Sequence, residues 1–235
     1  MSFSEKKFLS LPYKKQHKNA GEYLRILFEK DLKIDTHYRQ MELWLKLPSI
    51  ENETEELSDR FHLHMKEASV SLQEHNLLVK RFDSLSEIPF LPIHIYLEGL
   101  RSAFNIGGIL RTVEAFRLGT VVFSDGTPDA DHPKVMKTAM GTSSIVPTMK
   151  GDVDTLHRPL IALETVEDGL SLFDYSFPNT FSLLLGNEEY GLKKKTLEKA
   201  DVFLKIPLVG SKNSLNVASC FGIAAAFINK KLRSC

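Results

Sequence analysis

The sequence predicts an α/β protein with a mostly parallel sheet, preceded by a helical region. Three observations lead to this prediction. Residues 21–83 are rich in Leu, Glu, Lys and His at helical spacing. From about residue 90, short β-rich runs alternate with helical or loop segments, a pattern typical of parallel strands joined by crossovers. Polar loops directly follow three of these runs, and α/β sheets bind their ligands at the carboxyl ends of strands.

The character of the chain changes at the segment "SEIPFLP". We therefore predict a helical region over residues 1–88 and an α/β domain over residues 89–235. In the helical region, Pro48 and the polar residues after it separate two helical runs. The second run contains His62 and His64, which we interpret as part of a solvated helix face rather than as metal ligands.

The predicted strands are short runs of β-branched, aromatic and leucine residues. In chain order they are "IHIYL", "TVVFSD", "LIALE", "FSLLLG" and "DVFLKIP". The first, fourth and fifth runs lead into the loops "RSAFNIGGILRTVEAF", "GNEEYGL" and "VGSKNSLNVAS". We expect these three loops to meet at one edge of the sheet and to form the ligand site.

Composition is ordinary for a soluble globular protein, with 43% hydrophobic and 26% charged residues. Basic and acidic residues both number 30, so any nucleic-acid binding would depend on local patches. The N-terminus has no signal-peptide pattern, and the longest apolar run, about Leu215 to Ile228, is too short to span a bilayer. Cys220 and Cys235 have no metal-ligand spacing. We expect a cytoplasmic protein with no membrane partner and with Cys220 in its core.

The three loops contain neither the dinucleotide-binding glycine pattern nor a P-loop. Glu188 and Glu189, in the second loop, would repel a phosphate group. The loops therefore favour a ligand that carries positive charge or hydrogen-bond donors.

The third loop leads into an apolar helix that starts with Asn213, Ser214 and Asn216. A single N-cap would explain Asn213 or Ser214. We expect Asn216 inside the first turn, where Asn is a poor helix former. Free N–H groups and amides at a helix start also suit a polar ligand, so capping and ligand binding both stay open.

Taken together, in this order and at these spacings, the three loops resemble the SpoU (TrmH-like) branch of the SPOUT RNA methyltransferases. The resemblance covers roughly residues 90–235. The first motif is matched with Asn105 and Arg111 six residues apart, and the other two by "LLLGNEEYGL" and "IPLVGSKNSLNVAS". An acidic residue common shortly before the first motif's Asn is displaced here to Glu98, and Ala218 replaces a common Ser.

The resemblance implies a SPOUT-type α/β knot, with a deep trefoil knot at the C-terminus. It implies S-adenosyl-L-methionine as cofactor, RNA (tRNA or rRNA) as substrate, and a homodimer with the active site at its interface. The reaction implied is methyl transfer to a ribose 2′-hydroxyl. Because a sulfonium is already a good leaving group, this reaction needs positioning and an activated alcohol but no metal.

The residues that match the family's motifs take the roles that the resemblance implies. The implied catalytic residues are Asn105, Arg111, Glu188, Ser214 and Asn216. The implied cofactor-binding residues are Leu163, Gly186, Ile206 and Leu215.

Three of these residues each have an alternative role that the sequence also allows. A guanidinium is always protonated, so we prefer Arg111 as a phosphate and oxyanion anchor, acting in the partner subunit's site, over Arg111 as a base. Asn105 also reads as the N-cap of its helix. Glu188 also reads as an acid placed at a helix N-terminus.

The local basic residues either contact RNA phosphates or form solvated faces. They are Lys134, Lys137, the run Lys193–Lys195, Lys6, Lys7, Lys14, Lys15 and Lys18. The helical region over residues 1–88 either recognises RNA or extends the dimer.

Two rival functions remain at this stage. One is a catalytically inactive SPOUT-fold protein that only binds RNA. The other is an α/β enzyme with a different nucleotide cofactor. Methylation of a pyrimidine C5 is disfavoured because it uses a cysteine nucleophile, and we expect Cys220 two turns into a buried helix, out of reach.

Overall fold

The computed structural model describes residues 4–72 and 86–233. The chain divides into two compact units, Met1–Leu85 and Ser86–Cys235. The helical pattern predicted for residues 73–83 and the thiol of Cys235 lie outside the described residues. The two units are described separately below as the helical unit and the α/β unit.

The described part of the helical unit contains four α-helices around one apolar core. The helices are α1 (Glu5–Leu9), α2 (Tyr13–Glu29), α3 (Thr36–Trp44) and α4 (Thr54–Glu67). The two predicted runs are thus separate helices, with Pro48 in the connection between α3 and α4. Phe8, Leu24 and Phe61 are fully buried in the core between the helices.

The core of the helical unit also holds titratable side chains, which corrects the interpretation of the His62–His64 pair. His62 is exposed, but His64 is only 1% exposed. The Nδ1 atom of His64 lies 3.0 Å from Nδ1 of His17, and its Nε2 lies 2.9 Å from the hydroxyl of Tyr38. Burial and the nearby charges of His17 and Arg60 lower the pKa of His64 to about 3.

The α/β unit is built on a parallel sheet. Its described strands are β1 (His94–Leu97), β2 (Thr120–Phe123), β3 (Thr148–Lys150), β4 (Leu160–Leu163), β5 (Leu170–Ser171), β6 (Ser182–Leu185) and β7 (Val202–Lys205). Their order across the sheet is β3-β2-β1-β6-β4-β7-β5, and every neighbouring pair is parallel. The five predicted runs each form a strand, and the predicted α/β class is confirmed. The two short strands at the edges of the sheet, β3 and β5, were not predicted from the sequence.

Helices cover the sheet and complete the α/β unit. They are α5 (Ala103–Phe116), α6 (Pro133–Ala139), α7 (Lys194–Leu197) and α8 (Val217–Arg233). Successive residues of β1 face opposite sides, so Ile95 and Leu97 pack in the cluster that includes α5 and α8, whereas Tyr96 packs in the other cluster. None of the helices over residues 4–72 and 86–233 is long and apolar enough to cross a membrane.

The sheet order brings the predicted loops together. The strands β1, β6, β4 and β7 are neighbours, so their carboxyl ends at Leu97, Leu185, Leu163 and Lys205 lie along one edge. The "GNEEYG" loop leaves β6 between the loops that follow β1 and β4. Neighbouring parallel strands therefore place the three motifs at one site, as the sequence analysis expected.

Candidate functional site

A cavity of about 1120 Å³ opens at this edge of the sheet. Its walls come from the ends of β4, β6 and β7, from the loop after β7, and from the start of α8. The predicted residues that line it are Leu163, Gly186, Glu188, Ile206, Ser214, Leu215 and Asn216. Asn105 and Arg111 are not among the lining residues.

The start of α5 is capped by Ser102, and not by Asn105 as one interpretation of the sequence had it. The Ser102 side chain accepts a hydrogen bond from the backbone N–H of Asn105 at 3.3 Å. Asn105 is therefore the third residue of the helix. Because the cap is supplied by Ser102, the amide of Asn105 is available for other contacts.

Asn216 is the N-cap of α8, which corrects the expectation that it lies inside the first turn. Its Oδ1 accepts hydrogen bonds from the backbone N–H groups of Ala218 and Ser219 at 3.0 and 3.3 Å. Since Oδ1 serves the helix, Nδ2 faces away from it and donates to Oδ1 of Asn105 at 2.9 Å. Asn216 thus caps α8 and bridges it to α5, which confirms the capping interpretation of this helix start, and ligand binding by Asn216 stays a prediction.

The contact with Asn216 also orients Asn105 toward Glu188. With its Oδ1 occupied by Asn216, Asn105 donates from Nδ2 to Oε1 of Glu188 at 2.9 Å. The direction of both amides follows from the hydrogen-bond network, because only one orientation satisfies the helix N–H groups and the carboxylate together. Glu188, Asn105 and Asn216 form one hydrogen-bonded chain, here called the polar chain.

Glu188 is held by more than the amide of Asn105. Its carboxylate also accepts the backbone N–H groups of Arg101 and Ser102, each at 3.1 Å. Glu188 therefore lies at the N-terminus of α5, a helix to which it does not belong. Burial opposes its ionisation, but these hydrogen bonds outweigh burial and lower the pKa of Glu188 below its usual value.

The loop that carries Glu188 is a tight turn with no room for added side chains. Asn187 and Gly191 form two backbone hydrogen bonds with each other, at 3.0 and 2.9 Å. A Cβ atom on Gly186 would collide with the backbone of Gly191 and Leu192. Glycine at position 186 therefore serves close packing of the loop against the end of β6.

The buried carboxylate of Glu98 supports the end of the same loop. Glu98 is 2% exposed and accepts hydrogen bonds from the backbone N–H of Lys193 at 2.8 Å and the hydroxyl of Thr196 at 2.6 Å. The acid that appeared displaced from the first motif thus connects the end of β1 to the start of α7.

Arg111 lies two turns along α5, half-buried, and it has a contact of its own within the chain. It does not line the cavity of this chain. Ser214 and Leu215 do line the cavity, from an exposed loop. The structure therefore brings every predicted site residue except Arg111 to the cavity wall or into the polar chain.

Two residues at the cavity were missed or misplaced by the sequence analysis. Glu164, directly after β4, lines the cavity and accepts the backbone N–H of Leu192 at 2.7 Å. Its position at a strand end was the available signal. Cys220 also lines the cavity, because α8 begins at Val217 and places it in the first turn. The expectation of a core cysteine two turns into the helix was wrong, although burial raises the pKa of the Cys220 thiol.

Among the described residues, no group of three or more His, Cys, Asp and Glu side chains is arranged to hold a metal ion. The basic candidates Lys134, Lys137 and Lys193–Lys195 are all exposed.

The chain matches the model of the SpoU rRNA Methylase family over residues 92–226. It is 31% identical over 145 residues to the 23S rRNA (guanosine(2553)-2'-O)-methyltransferase RlmP of Bacillus subtilis, covering 59% of this chain and 57% of that protein. It is 29% identical over 160 residues to the 23S rRNA (guanosine-2'-O-)-methyltransferase RlmB of Neisseria meningitidis, covering 64% and 62%. The chain thus spans less than two thirds of the length of these curated relatives.

Solved structures show the same fold. A putative RNA methyltransferase of the TrmH family from Porphyromonas gingivalis aligns over 92% of this chain and 98% of its own, with a TM-score of 0.55 and 22% identity. The SpoU methyltransferase AviRb from Streptomyces viridochromogenes, in complex with the cofactor AdoMet, covers 63% and 62%, with a TM-score of 0.52 and 23% identity. The SPOUT-type α/β fold is thereby confirmed, and the threading of the knot stays a prediction.

Proposed function

Because this chain belongs to the SpoU rRNA Methylase family, we propose that it transfers a methyl group from S-adenosylmethionine to a ribose 2′-hydroxyl of tRNA or rRNA. The observation that carries the proposal is the polar chain, in which Asn105 links Glu188 and Asn216, two residues that line the cavity. Relatives that are named as ribose 2′-O-methyltransferases support the same reaction.

The cavity has the chemistry that S-adenosylmethionine requires. Leu163, Ile206 and Leu215 supply apolar walls for an adenine ring, and Gly186 brings backbone close to the ligand. Four carboxylates line the cavity, from Glu164, Glu167, Glu188 and Glu189, against the two ammonium groups of Lys205 and Lys212. This excess of acid suits a cationic ligand and disfavours a polyphosphate. The bound cofactor would supply an electrophilic methyl group.

The polar chain prepares the acceptor side of the site. Hydrogen bonds within the chain already orient its two amides. Asn216 accepts from the start of α8 and donates to Asn105, and Asn105 donates to Glu188. Fixed dipoles of this kind stabilise developing charge without reorganising during the reaction. We assign Glu188 and Asn216 to the acceptor side of the cavity wall, with Asn105 joining them from behind the wall, and the hydroxyl of Ser214 to hydrogen bonding with the ribose.

We further propose that the protein is a homodimer in which Arg111 acts in the partner's site. Arg111 does not line the cavity of its own subunit, so a role at the reaction centre calls for a second copy of the chain. The loop after β7 is exposed along its length and displays Leu208, Val209 and Leu215, with Val209 fully exposed. A partner copy would cover these side chains. Arg111 would then hold an RNA phosphate and the developing oxyanion.

We propose a cytoplasmic location for the protein, because its proposed substrates are tRNA or rRNA. This proposal rests on the RNA substrate, and it agrees with the cytoplasmic location expected from the sequence.

The test uses RNA fragments that carry the methylated position. That position is first found by mapping 2′-O-methyl groups in total RNA from cells with and without the gene. A fragment with a single 2′-deoxy nucleotide there should bind as tightly as the ribose form, because phosphate contacts dominate binding, but should accept no methyl group. Methylation of the deoxy fragment would place the chemistry on the base and overturn the proposal.

A cysteine variant completes the test, since Cys220 lines the cavity. Cys220→Ala should still transfer a methyl group, because ribose methylation needs no thiol nucleophile. Calorimetry should also detect binding of S-adenosylhomocysteine without RNA. If the protein bound RNA but no S-adenosylhomocysteine, the inactive RNA-binding protein would be the correct function.

A further inference from the structure

The helical unit separates its charges along the chain. Residues 4–20 contain five lysines and one acid, Glu5, whereas residues 51–59 contain five acids and no base. All five lysines are exposed. They are Lys6, Lys7, Lys14, Lys15 and Lys18. In a chain with no net charge, this is a marked local asymmetry.

Packing of α2 against α4 keeps the two charge clusters apart. The Tyr13 hydroxyl, at the start of α2, donates to Glu67 at the end of α4 at 2.9 Å. Further along, Arg25 lies over the ring of Phe61, 4.9 Å from its centroid. The two helices are therefore antiparallel, and the lysines and the acids lie at opposite ends, about 20 Å apart along α4.

Helix stability does not account for this charge placement. Lys14 and Lys15 lie in the first turn of α2, which contains no acid, and the last turn contains Glu29 but no base. The helix macrodipole favours the reverse arrangement at both ends. A sequence that departs from a local stability rule in this way indicates a function for the residues concerned.

The connection between α1 and α2, which carries the lysines on either side, is held by hydrogen bonds and by core packing. Gln16 donates to the backbone oxygens of Leu9 and Leu11 at 3.3 and 2.7 Å, and Phe8 anchors α1 in the core. Lys14 and Lys18 are one turn apart and lie on the same side of α2.

An exposed aromatic ring lies among the lysines. Tyr13 is 57% exposed, and its ring is held 4.6 Å from the ring of His17. An aromatic side chain among lysines offers an unpaired base a surface for stacking while the ammonium groups contact the backbone. This combination favours RNA over an acidic peptide, which would need only the charges.

We propose that this surface, the lysine face (Lys6, Lys7, Lys14, Lys15 and Lys18 with Tyr13), binds the phosphate backbone of the RNA substrate outside the methylation site. The inference rests on the proposed function, since that function makes RNA the substrate. The lysine face would supply affinity that is independent of sequence, and the α/β unit would carry out the chemistry.

The experiment compares two triple variants of the full chain with equal changes in charge. Lys14→Gln/Lys15→Gln/Lys18→Gln removes the centre of the lysine face. Lys30→Gln/Lys33→Gln/Lys46→Gln removes three exposed lysines that follow α2 and α3. Affinity for the RNA fragment is measured over a range of salt concentrations, together with binding of S-adenosylhomocysteine and methyl transfer.

The first variant should bind RNA roughly tenfold or more weakly at about 0.1 M salt, and its salt dependence should fall by about one unit of slope per lysine removed. The control variant should keep the affinity and slope of the wild type. Both should bind S-adenosylhomocysteine normally, because the cavity lies in the other unit. Tyr13→Leu should weaken binding without changing the slope, since stacking releases no counterions.

Equal affinities and slopes for the two triple variants would overturn the inference and leave the lysines as a solvated surface. Binding of both triple variants to vesicles of anionic phospholipid is measured in parallel. If the first variant lost affinity for the vesicles but bound RNA as tightly as the wild type, the inference would also be overturned. Failure of the proposed function looks different, because the wild type would then transfer no methyl group to any RNA, whatever the lysine variants did.

Discussion

The two neighbouring glutamates of the "GNEEYG" loop have different environments. Glu188 accepts three hydrogen bonds from the start of α5, which hold its pKa below the usual value. The carboxylate of Glu189 accepts from the guanidinium of Arg101 at 3.0 Å, and both side chains are about two thirds exposed. An exposed ion pair contributes little to stability, so these adjacent residues form a matched pair for mutation.

Glu188→Gln should reduce methyl transfer by roughly 10- to 100-fold. The amide replaces one carboxylate oxygen with an NH2 donor, so one of the hydrogen bonds to Glu188 is lost. A hydrogen bond to a charged group contributes about 1.5–3 kcal/mol. Glu189→Gln should change transfer by less than about fivefold. Turnover of both variants is compared at saturating RNA and cofactor. Equal losses would contradict the role of the polar chain and would point to bulk charge instead.

The lowered pKa of Glu188 also gives a pH expectation with a defined sign. A carboxyl whose folded pKa is depressed stays ionised at and above its usual value of 4.5, so its contribution is lost only as the pH falls through the lower, folded pKa. Glu188 should therefore cause no change in methyl transfer between neutral pH and about pH 5.

At the scale of elements, α8 depends on Asn216 in two ways that substitution can separate. Asn216→Ala removes both the cap of α8 and the bridge to Asn105, and should cost about 1 kcal/mol of unfolding free energy as well as activity. Asn216→Asp keeps a capping oxygen but cannot donate to Asn105. It should retain stability and still lose methyl transfer. An active Asp variant would show that only the cap matters.

The helices of the helical unit are joined by buried histidines, which make its stability dependent on pH. Burial lowers the pKa of His64 to about 3, and burial also lowers that of His17, against an opposing effect of the Glu67 charge. Between the unfolded value of 6.5 and the folded value, the unfolded chain binds protons that the folded chain does not. The groups that face this pair are Tyr13, Tyr38, Arg60 and Glu67.

Stability should therefore fall as the pH drops below about 6.5, by up to about 1.4 kcal/mol per pH unit for each histidine. The measurement is the unfolding free energy of the full chain between pH 7 and 5. His64→Asn should be less stable at pH 7 but should show a shallower pH dependence. His62→Asn, the exposed neighbour, serves as the control and should follow the wild type. An unchanged slope for the His64 variant would rule out the buried pair as the cause.

At the scale of the whole molecule, a mixing experiment tests whether the active site is shared between subunits. Arg111→Ala should be nearly inactive alone, and Glu188→Gln alone should show its roughly 10- to 100-fold loss. If Arg111 acts in the partner's site, a mixed dimer has one site with both changes and one site with neither. Random exchange of subunits should then restore about a quarter of wild-type activity. No recovery, with subunit exchange confirmed by mass, would place Arg111 in its own subunit's site. A monomeric mass for both variants would overturn the homodimer itself.

Much of the molecule follows from local patterns in the sequence. The five main strands were found because their apolar runs are bounded by turn residues, and their alternation with helical segments indicated a parallel sheet. The loops "RSAFNIGGILRTVEAF", "GNEEYGL" and "VGSKNSLNVAS" could be assigned to one site because parallel strands bring their carboxyl ends to the same edge. The edge strands β3 and β5 were missed because two or three residues carry too little pattern.

What the sequence alone determined is therefore the class of fold, the edge of the sheet that holds the site, and most of the residues brought there, with Glu164 and Cys220 as the exceptions. Tertiary structure decided what those residues do. The sequence does not show that Asn216 rather than Ser214 caps α8, that Ser102 leaves Asn105 available, or that His64 is buried while His62 is exposed. The two caps are local hydrogen bonds, but the bridge from Asn216 to Asn105 and the burial of His64 against His17 depend on contacts between residues far apart in the chain. Local propensity carries no information about such partners, because their distance is set by the packing of whole helices.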